Sequence, residues 1–156
     1  MLARDVGKML RARRLTVSTA ESCTGGRLGD ALTNVSGSSD YYRGGIISYG
    51  NQAKVDLLDV HESSLLMKGA VSDEVARQMA IGVRKKFRSS LGVGITGIAG
   101  PTGVTPKKPV GLVYIAVSSE RKTICTKNLF KGSRMQVKRQ SVDRALEMIK
   151  SLLSER

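Results

Sequence analysis

The chain has 156 residues, 40% of them hydrophobic and 25% charged, which is the size and composition of one globular domain spanning residues 1–156. No apolar run approaches the ~20 residues that cross a bilayer, and residues 1–14 lack the continuous apolar stretch of a signal peptide, so we expect a cytoplasmic protein with no membrane partner. The net charge of +13 favours an anionic partner, but aromatic residues make up only 4% of the chain, so base stacking on nucleic acid is not expected.

The first half of the chain alternates between helical and extended patterns. Apolar residues at helical spacing predict a first helix near residues 2–10. The patterns then predict a strand over residues 15–20, a helix from 24 to about 34, a loop at 37–39, a strand over 45–49 and a helix from residue 51. Thr24 is a favoured N-cap type, and Gly25 and Gly26 would leave the first helical turn open to a ligand.

The second half adds a helix, three strands and a closing helix. Ser72 is expected to cap a helix over residues 73–87. The patterns then predict a strand over 92–96, a loop over 97–109, strands over 110–118 and 123–130 joined by an antiparallel turn at Glu120 and Arg121, and a helix from about residue 134. Helices separated by single strands, with one late hairpin, predict a three-layer α/β/α fold with a mixed, mostly parallel sheet.

Ser22 lies where the first predicted strand turns into a helix. A side chain at such a turn points out of the sheet, and the nearby helix N-terminus offers N–H groups to an oxyanion, as a nucleophile requires. Taken locally, a capping role for Ser22 is the favoured interpretation, because serine is a common cap. The only histidine, His61, has the pattern of an exposed helix start, and no G-x-S-x-G sequence is present, so neither a Ser-His-Asp triad nor an α/β-hydrolase is expected.

A lysine can replace histidine as the base when burial lowers the lysine pKa toward neutrality. Lys54 is a candidate because it follows the end of the second predicted strand. Tyr49, five residues earlier, is placed to hydrogen-bond to the same serine. A solvated surface lysine is the alternative, and sequence position alone does not decide between the two.

Residues 92–97 match the pattern G-x-G-x-x-G, but the match lies inside a predicted strand and no helix follows promptly, so we reject a dinucleotide-binding loop. Two interpretations of these glycines remain. They either form a tight turn or allow the backbone to approach a ligand closely, with Thr96 as a hydrogen-bond donor.

Six blocks of the sequence, taken in order, resemble the CinA C-terminal domain family, the nicotinamide mononucleotide (NMN) deamidases. The blocks are TAESCTGG at 19–26, GSS at 37–39, GGIISY at 44–49 with Asn51 and Lys54, GAVS at 69–72, TGIAGP at 96–101 and KPVG at 108–111. They cover nearly the whole chain, and six blocks in order are far more specific than any one of them.

The resemblance implies hydrolysis of the carboxamide of NMN to nicotinate mononucleotide and ammonia in pyridine nucleotide salvage, with no metal or cofactor. A related pyridine amide stays open as the alternative substrate. The resemblance makes Ser22 the nucleophile, Lys54 its base and Tyr49 a supporting residue. The positions that it implies for substrate binding are Ser39 and Thr96 in the pocket, N–H groups at Gly25, Gly26, Gly97 or Gly100 for the oxyanion, and either Arg134 or Arg139. The family also tends to self-associate, so we expect a homo-oligomer.

Two other functions stay open. The chain is either a non-catalytic binding module for an anionic partner such as nucleic acid, or an inactive family member with a regulatory role. Residues 121–156 carry ten basic and three acidic residues, although a solvated basic face also explains that excess. Many family members have an additional N-terminal domain, whose activity we do not expect here.

Overall fold

A computed structural model describes residues 1–155 as a five-stranded sheet with helices on both faces. The helices are α1 (Leu2–Ala12), α2 (Arg27–Thr33), α3 (Asn51–Leu58), α4 (Glu62–Lys68), α5 (Asp73–Phe87) and α6 (Arg134–Ser154). The strands are β1 (Val17–Glu21), β2 (Tyr42–Ile47), β3 (Leu91–Gly97), β4 (Leu112–Ser118) and β5 (Thr123–Leu129), and a short 3-10 turn, Ser38–Asp40, precedes β2. None of these described helices is long and apolar enough to cross a membrane.

The strand order of the sheet is β2-β1-β3-β4-β5. β1 pairs in parallel with β2 on one side and with β3 on the other, whereas β4 is antiparallel to both β3 and β5. Glu21, the last residue of β1, lies opposite Ile47 of β2 and Ile95 of β3, so the carboxyl ends of the three parallel strands meet at one edge. The mixed sheet with its late hairpin confirms the predicted fold class.

The two faces of the sheet are covered by different sets of helices. α5, with α3 and α4 packed against it, covers one face, and α1, α2 and α6 cover the other. Val6 and Leu28 belong to the larger core beneath α1, α2 and α6, while Val75 and Met79 of α5 belong to the smaller core on the opposite face. Every residue of β1 is buried because helices cover both of its faces.

The observed starts of two helices confirm one predicted cap and correct another. The Ser72 hydroxyl accepts a hydrogen bond from the Val75 N–H at 3.3 Å and caps α5, as predicted. The helix predicted from Thr24 begins only at Arg27, with Gly26 at its N-cap position in a left-handed conformation (φ 108°) and no side-chain cap. Thr24 therefore lies in the turn before the helix and does not cap it.

Gly92 and Gly94 let α5 rest directly on β3. A Cβ atom on Gly92 would collide with the backbone oxygen of Ala80, and one on Gly94 would collide with the backbone oxygen of Ala76 and lie 2.8 Å from the Ala80 nitrogen. Neither interpretation offered for these two glycines is correct, because they make room for a helix and not for a turn or a ligand.

We expect Gly94→Ala to destabilise the protein by about 1–3 kcal/mol, since the added methyl group must push a helix backbone off a buried strand. Urea unfolding monitored by circular dichroism measures this loss. Gly50→Ala is the matched control, because a Cβ atom at Gly50 meets nothing within 4 Å. Equal midpoints for the two variants would contradict the close packing of α5 on β3.

Candidate active site

Ser22 lies at the edge where the three parallel strands end. Its N–H donates to the Ile95 carbonyl of β3 at 3.0 Å, and the Ser48 N–H, just after β2, donates to the Glu21 carbonyl at 2.9 Å. These two bonds extend both ladders of β1 beyond the strand itself. The segments that follow β1 and β2 are thereby held side by side at the carboxyl edge, where open α/β sheets commonly bind ligands.

Lys54 reaches Ser22 from the first half of α3. Its Nζ donates to the Ser22 Oγ at 3.1 Å, to the Ser48 carbonyl at 2.9 Å and to the Tyr49 carbonyl at 3.3 Å. The lysine side chain is fully buried, since only 1% of the residue is exposed. No carboxylate within residues 1–155 forms a salt bridge with it. A buried amine is thus held by neutral oxygens alone.

Burial lowers the pKa of Lys54 below its ordinary value of 10.5, because the charged ammonium loses its hydration and gains no counter-ion. The neutral amine is therefore more accessible than in a surface lysine. A neutral Lys54 is able to accept the proton of the Ser22 hydroxyl through the contact between them, so the arrangement is compatible with a serine nucleophile and a lysine base.

A cleft of about 300 Å³ opens over Ser22 and Lys54. Its lining comes from the turn after β1, the start of α3, the segment before α5, the loop after β3 and the first residue of α6: Ser22, Cys23, Tyr49, Asn51, Lys54, Ala70, Val71, Thr96, Gly97, Ile98, Ala99, Thr102, Gly103 and Arg134. The cleft therefore contains both members of the serine–lysine pair and residues from the three other segments.

Arg134 and Tyr49 are bonded to each other at the cleft. The Arg134 guanidinium donates to the Tyr49 hydroxyl at 3.0 Å and to the Gly100 carbonyl at 2.8 Å. The Tyr49 side chain is 61% exposed and forms no hydrogen bond with Ser22, so the expectation that it bonds to the serine is wrong. Its backbone carbonyl is what contacts the pair, through Lys54.

Thr96 lines the cleft but does not act as the donor expected from the sequence. Its hydroxyl proton is directed to the Ala70 carbonyl at 2.8 Å, which joins the end of β3 to the segment before α5. The hydroxyl oxygen retains lone pairs, so Thr96 can only accept a further hydrogen bond.

Comparison with known proteins assigns nearly the whole chain to one family. Residues 1–153 match the family model of the CinA C-terminal domain. The chain belongs to the CinA family. A CinA-like protein of Rippkaea orientalis is 57% identical over 120 residues, which cover 77% of this chain and 29% of that relative. The chain spans about a third of the length of the curated relatives that it matches.

Solved structures of the same superfamily share the fold. The competence/damage inducible protein CihA of Agrobacterium tumefaciens is 39% identical, with a TM-score of 0.95, and the match covers 99% of this chain and 94% of that one. A competence-damaged protein (CinA) superfamily protein of Escherichia coli is 32% identical, with a TM-score of 0.94 over 97% of this chain and 88% of that one. The mixed sheet described above is therefore that of the CinA domain.

Several residues implied by the family resemblance do not line the cleft of this CinA domain. Ser39 is exposed in the turn before β2, which lies at the opposite edge of the sheet, since β2 begins where β1 begins. Arg139 is exposed on α6, more than a turn after Arg134 and on a different side of the helix. Of the two arginines, the structure brings only Arg134 to the serine–lysine pair.

The glycines expected to bind an oxyanion differ in their placement. Gly97 lines the cleft, whereas Gly26 and Gly100 do not. The Gly25 N–H is already bonded to the Ser22 carbonyl at 3.1 Å and is not free to bind an oxyanion. By contrast, the N–H groups of Cys23, Thr24 and Gly26 have no acceptor in another residue among residues 1–155, and of these three residues only Cys23 lines the cleft.

Glu21 is a residue that the sequence reading missed. It is 2% exposed, and its carboxylate accepts hydrogen bonds from the N–H groups of Leu28 at 2.9 Å and Gly29 at 3.1 Å. These groups lie in the first turn of α2, so the helix N-terminus predicted to be open to a ligand is occupied by a side chain of the CinA domain itself. The sequence feature that could have revealed Glu21 is an acidic residue at the end of a strand whose other residues are buried.

Cys23 and His61 do not compete with Ser22 and Lys54. Burial raises the pKa of the Cys23 thiol to about 12, so the thiolate that would act as a nucleophile is not formed near neutral pH. His61 precedes α4, is exposed and contacts Gln78, as expected for a helix start. Residues 1–155 hold no group of three or more His, Cys, Asp or Glu side chains that could bind a metal ion.

Proposed function

We propose that this CinA domain is a serine–lysine amidohydrolase that converts NMN to nicotinate mononucleotide and ammonia. The observation that carries the proposal is the 3.1 Å contact between the Lys54 Nζ and the Ser22 Oγ, with both residues buried beside a cleft. An amide is a poor electrophile, so its hydrolysis needs an activated nucleophile and a base that later protonates the leaving nitrogen. A buried lysine with a lowered pKa supplies both proton transfers.

The proposed reaction begins with neutral Lys54 taking the proton of the Ser22 hydroxyl. The Oγ forms a bond to the carboxamide carbon, and the π electrons of the C=O bond move to its oxygen. The free N–H group of Cys23, which lines the cleft, is suited to stabilise that oxyanion. The C–N bond then breaks, the Lys54 ammonium protonates the departing nitrogen, and ammonia leaves behind an ester of Ser22.

The second half of the proposed reaction repeats these steps with water as the nucleophile. Neutral Lys54 removes a proton from a water molecule, and the hydroxide attacks the ester carbon. The C–Oγ bond breaks, Ser22 recovers its proton from Lys54, and nicotinate mononucleotide is released. Each proton taken by Lys54 is returned, so the pair ends each turnover in its starting state.

The charge of the cleft favours an anionic substrate. Arg134 is the arginine at its lining, no carboxylate side chain lines it, and the whole chain has a net charge of +13. NMN combines a carboxamide with a phosphate, so it offers both an electrophile for Ser22 and an anion for a guanidinium. A cleft of about 300 Å³ is at the small end of the range for ligand sites.

We expect Arg134→Gln to raise the KM for NMN by about 10-fold or more, because a charge-assisted hydrogen bond contributes about 1.5–3 kcal/mol. Steady-state ammonia release over a range of NMN concentrations measures the change. Arg139→Gln removes the same charge from an exposed position outside the cleft and should leave KM within about 2-fold of the wild-type value. A larger effect at Arg139 than at Arg134 would reverse the assignment of the two arginines.

The proposal as a whole is tested by incubating the purified protein with NMN and measuring ammonia and nicotinate mononucleotide together. Equal amounts of the two products are expected, with Ser22→Ala as the blank. Nicotinamide riboside, which lacks the phosphate, should be a poorer substrate in the same assay. The absence of ammonia above the blank, from NMN and from related pyridine amides alike, would refute the proposed activity.

A further inference from the structure

We propose that Glu21 is a positioning residue for the reaction, because it holds the turn that carries Ser22 in the conformation that presents the unpaired N–H group of Cys23 to the oxyanion. The inference rests on the proposed function, in which Ser22 attacks a carbonyl group. Glu21 itself does not line the cleft and does not touch the substrate. The Glu21 carboxylate contacts α2, whereas the Ser22 hydroxyl contacts Lys54 of α3, so the two side chains leave the chain in different directions.

The carboxylate of Glu21 links the two ends of the turn between β1 and α2. The turn starts directly after Glu21 and ends at Gly26, the N-cap position of α2. Glu21 binds the N–H groups of Leu28 and Gly29 at 2.9 Å and 3.1 Å, so the residue before the turn is tied to the helix after it. Within the turn, the Gly25 N–H binds the Ser22 carbonyl at 3.1 Å. These three bonds fix both ends of the segment and its middle.

The same bonds decide which N–H groups stay unpaired. With Leu28 and Gly29 bound by Glu21, Gly25 bound by the Ser22 carbonyl and Arg27 bound by the Thr24 carbonyl, the N–H groups of the turn left without an acceptor in another residue among residues 1–155 are those of Cys23, Thr24 and Gly26. Of these three residues only Cys23 lines the cleft, and it immediately follows the nucleophile in the chain. An oxyanion hole requires a donor that is fixed in place before the charge develops, and Glu21 fixes the turn that carries this one.

A buried carboxylate is a costly way to stabilise a short helix, which argues for a role beyond capping. Glu21 is 2% exposed and has no cationic partner in any salt bridge of residues 1–155. Its charge is compensated by backbone N–H groups and by the positive end of α2. Both carboxylate oxygens are used as acceptors, one for each N–H group. Glutamine has the same size but only one acceptor oxygen, so its amide NH₂ would face a second N–H group.

The test compares Glu21→Gln with Ser18→Ala. Ser18 is a buried polar residue of the same strand, and its hydroxyl bonds to Ser89 at 2.6 Å and to the Val83 carbonyl at 3.1 Å near the opposite end of β1. Ser18→Ala therefore removes buried hydrogen bonds from β1 without touching the Ser22 turn. Three quantities are measured for each variant, at a temperature where both are folded: kcat on NMN, KM for NMN, and the rate at which a fluorophosphonate probe labels Ser22.

The labelling reaction does not depend on the identity of the substrate. The Ser22 Oγ bonds to phosphorus, the P–F bond breaks, fluoride leaves, and Lys54 takes the serine proton, while the P=O oxygen takes the place of the oxyanion. We expect Glu21→Gln to lower kcat and the labelling rate by ~10- to 100-fold with KM within about 2-fold of wild type, because loss of a fixed oxyanion donor slows catalysis by factors of this order or larger. Ser18→Ala should lower the melting temperature but leave both rates near the wild-type values. Glu21→Asp, which keeps both oxygens on a shorter side chain, should recover part of the loss.

Each result of these measurements either supports or overturns the positioning role of Glu21. Wild-type labelling rates in Glu21→Gln, or equal losses in Ser18→Ala, would overturn the positioning role of Glu21, as would a change confined to KM. If Glu21→Gln does not fold, the comparison is made with Glu21→Asp, where a wild-type labelling rate would overturn the role. If the wild-type protein is labelled at Ser22 but releases no ammonia from NMN, the proposed substrate fails while the labelling rates still decide the role of Glu21. A wild-type protein that is neither labelled nor active would overturn both proposals.

Discussion

Replacing Ser22 by alanine is expected to abolish ammonia release from NMN, with a loss in kcat of at least about 10³-fold, because no other nucleophile is placed against Lys54. The neighbouring thiol of Cys23 does not substitute for it, since burial raises the pKa of that thiol to about 12. The measurement is a steady-state ammonia assay sensitive enough to detect a thousandth of the wild-type rate.

The Ser22→Ala variant should remain folded. The lost hydroxyl leaves Lys54 with the Ser48 and Tyr49 carbonyls as acceptors, so its amine is not left unpaired. Ser141→Ala is a matched control, because Ser141 is also buried but bonds within α6, to the Val137 carbonyl at 2.7 Å. Ser141→Ala should keep full activity. More than a tenth of the wild-type rate in Ser22→Ala would contradict the proposed nucleophile.

Lys54→Met is expected to cause a loss in kcat of about 10³-fold or more, because methionine fills the space but cannot take the serine proton. Lys54→Arg should be equally inactive, since a guanidinium stays protonated at all accessible pH values. In the wild-type protein, kcat/KM should rise with pH along a single ionisation whose pKa lies below 10.5, as the Lys54 ammonium becomes the neutral amine. A rate independent of pH over this range, or an active Lys54→Arg variant, would contradict the role of Lys54 as the base.

The lowered pKa of Lys54 also makes stability depend on pH, with a definite sign. Between the native pKa and the ordinary value of 10.5, the unfolded chain binds more protons at this site than the native protein does. Below the native pKa, Lys54 therefore lowers the free energy of unfolding by its full amount. This destabilisation decreases as the pH rises toward 10.5. Urea unfolding of wild type and Lys54→Met over this range should show the difference shifting in favour of wild type at higher pH.

The fold was predictable from the sequence because its strongest signals are local. α5 and α6 have long helical periodicity, and α5 has a serine cap at Ser72 that is present in the structure. The hairpin of β4 and β5 follows from two extended patterns around a short turn. The start of α2 was misplaced by three residues, because the group that binds its first N–H groups is Glu21, a side chain from the preceding strand rather than a local cap.

The candidate site was less predictable, because it is made by contacts between distant residues. Ser22 and Lys54 are 32 positions apart, and what brings them together is the parallel pairing of β1 with β2. Local reasoning favoured a capping role for Ser22, and only the resemblance to a family selected Lys54 as its partner. Ser39 was placed in the pocket by that resemblance, yet the register of β2 against β1 carries it to the far edge of the sheet.

The position of β2 at the margin of the sheet has a consequence for how the protein loses activity. β2 is bonded to one neighbour only, and the segment that follows it supplies Lys54 and both of the carbonyls that hold the amine. Edge strands open at a lower free energy than central ones, so β2 can separate from β1 while the rest of the sheet stays intact. Such a partly opened molecule would retain most of its secondary structure but would lose the contact between Lys54, the proposed base, and Ser22. We therefore expect heat to abolish the proposed activity through a local event at the sheet margin, before the cooperative melting of the domain.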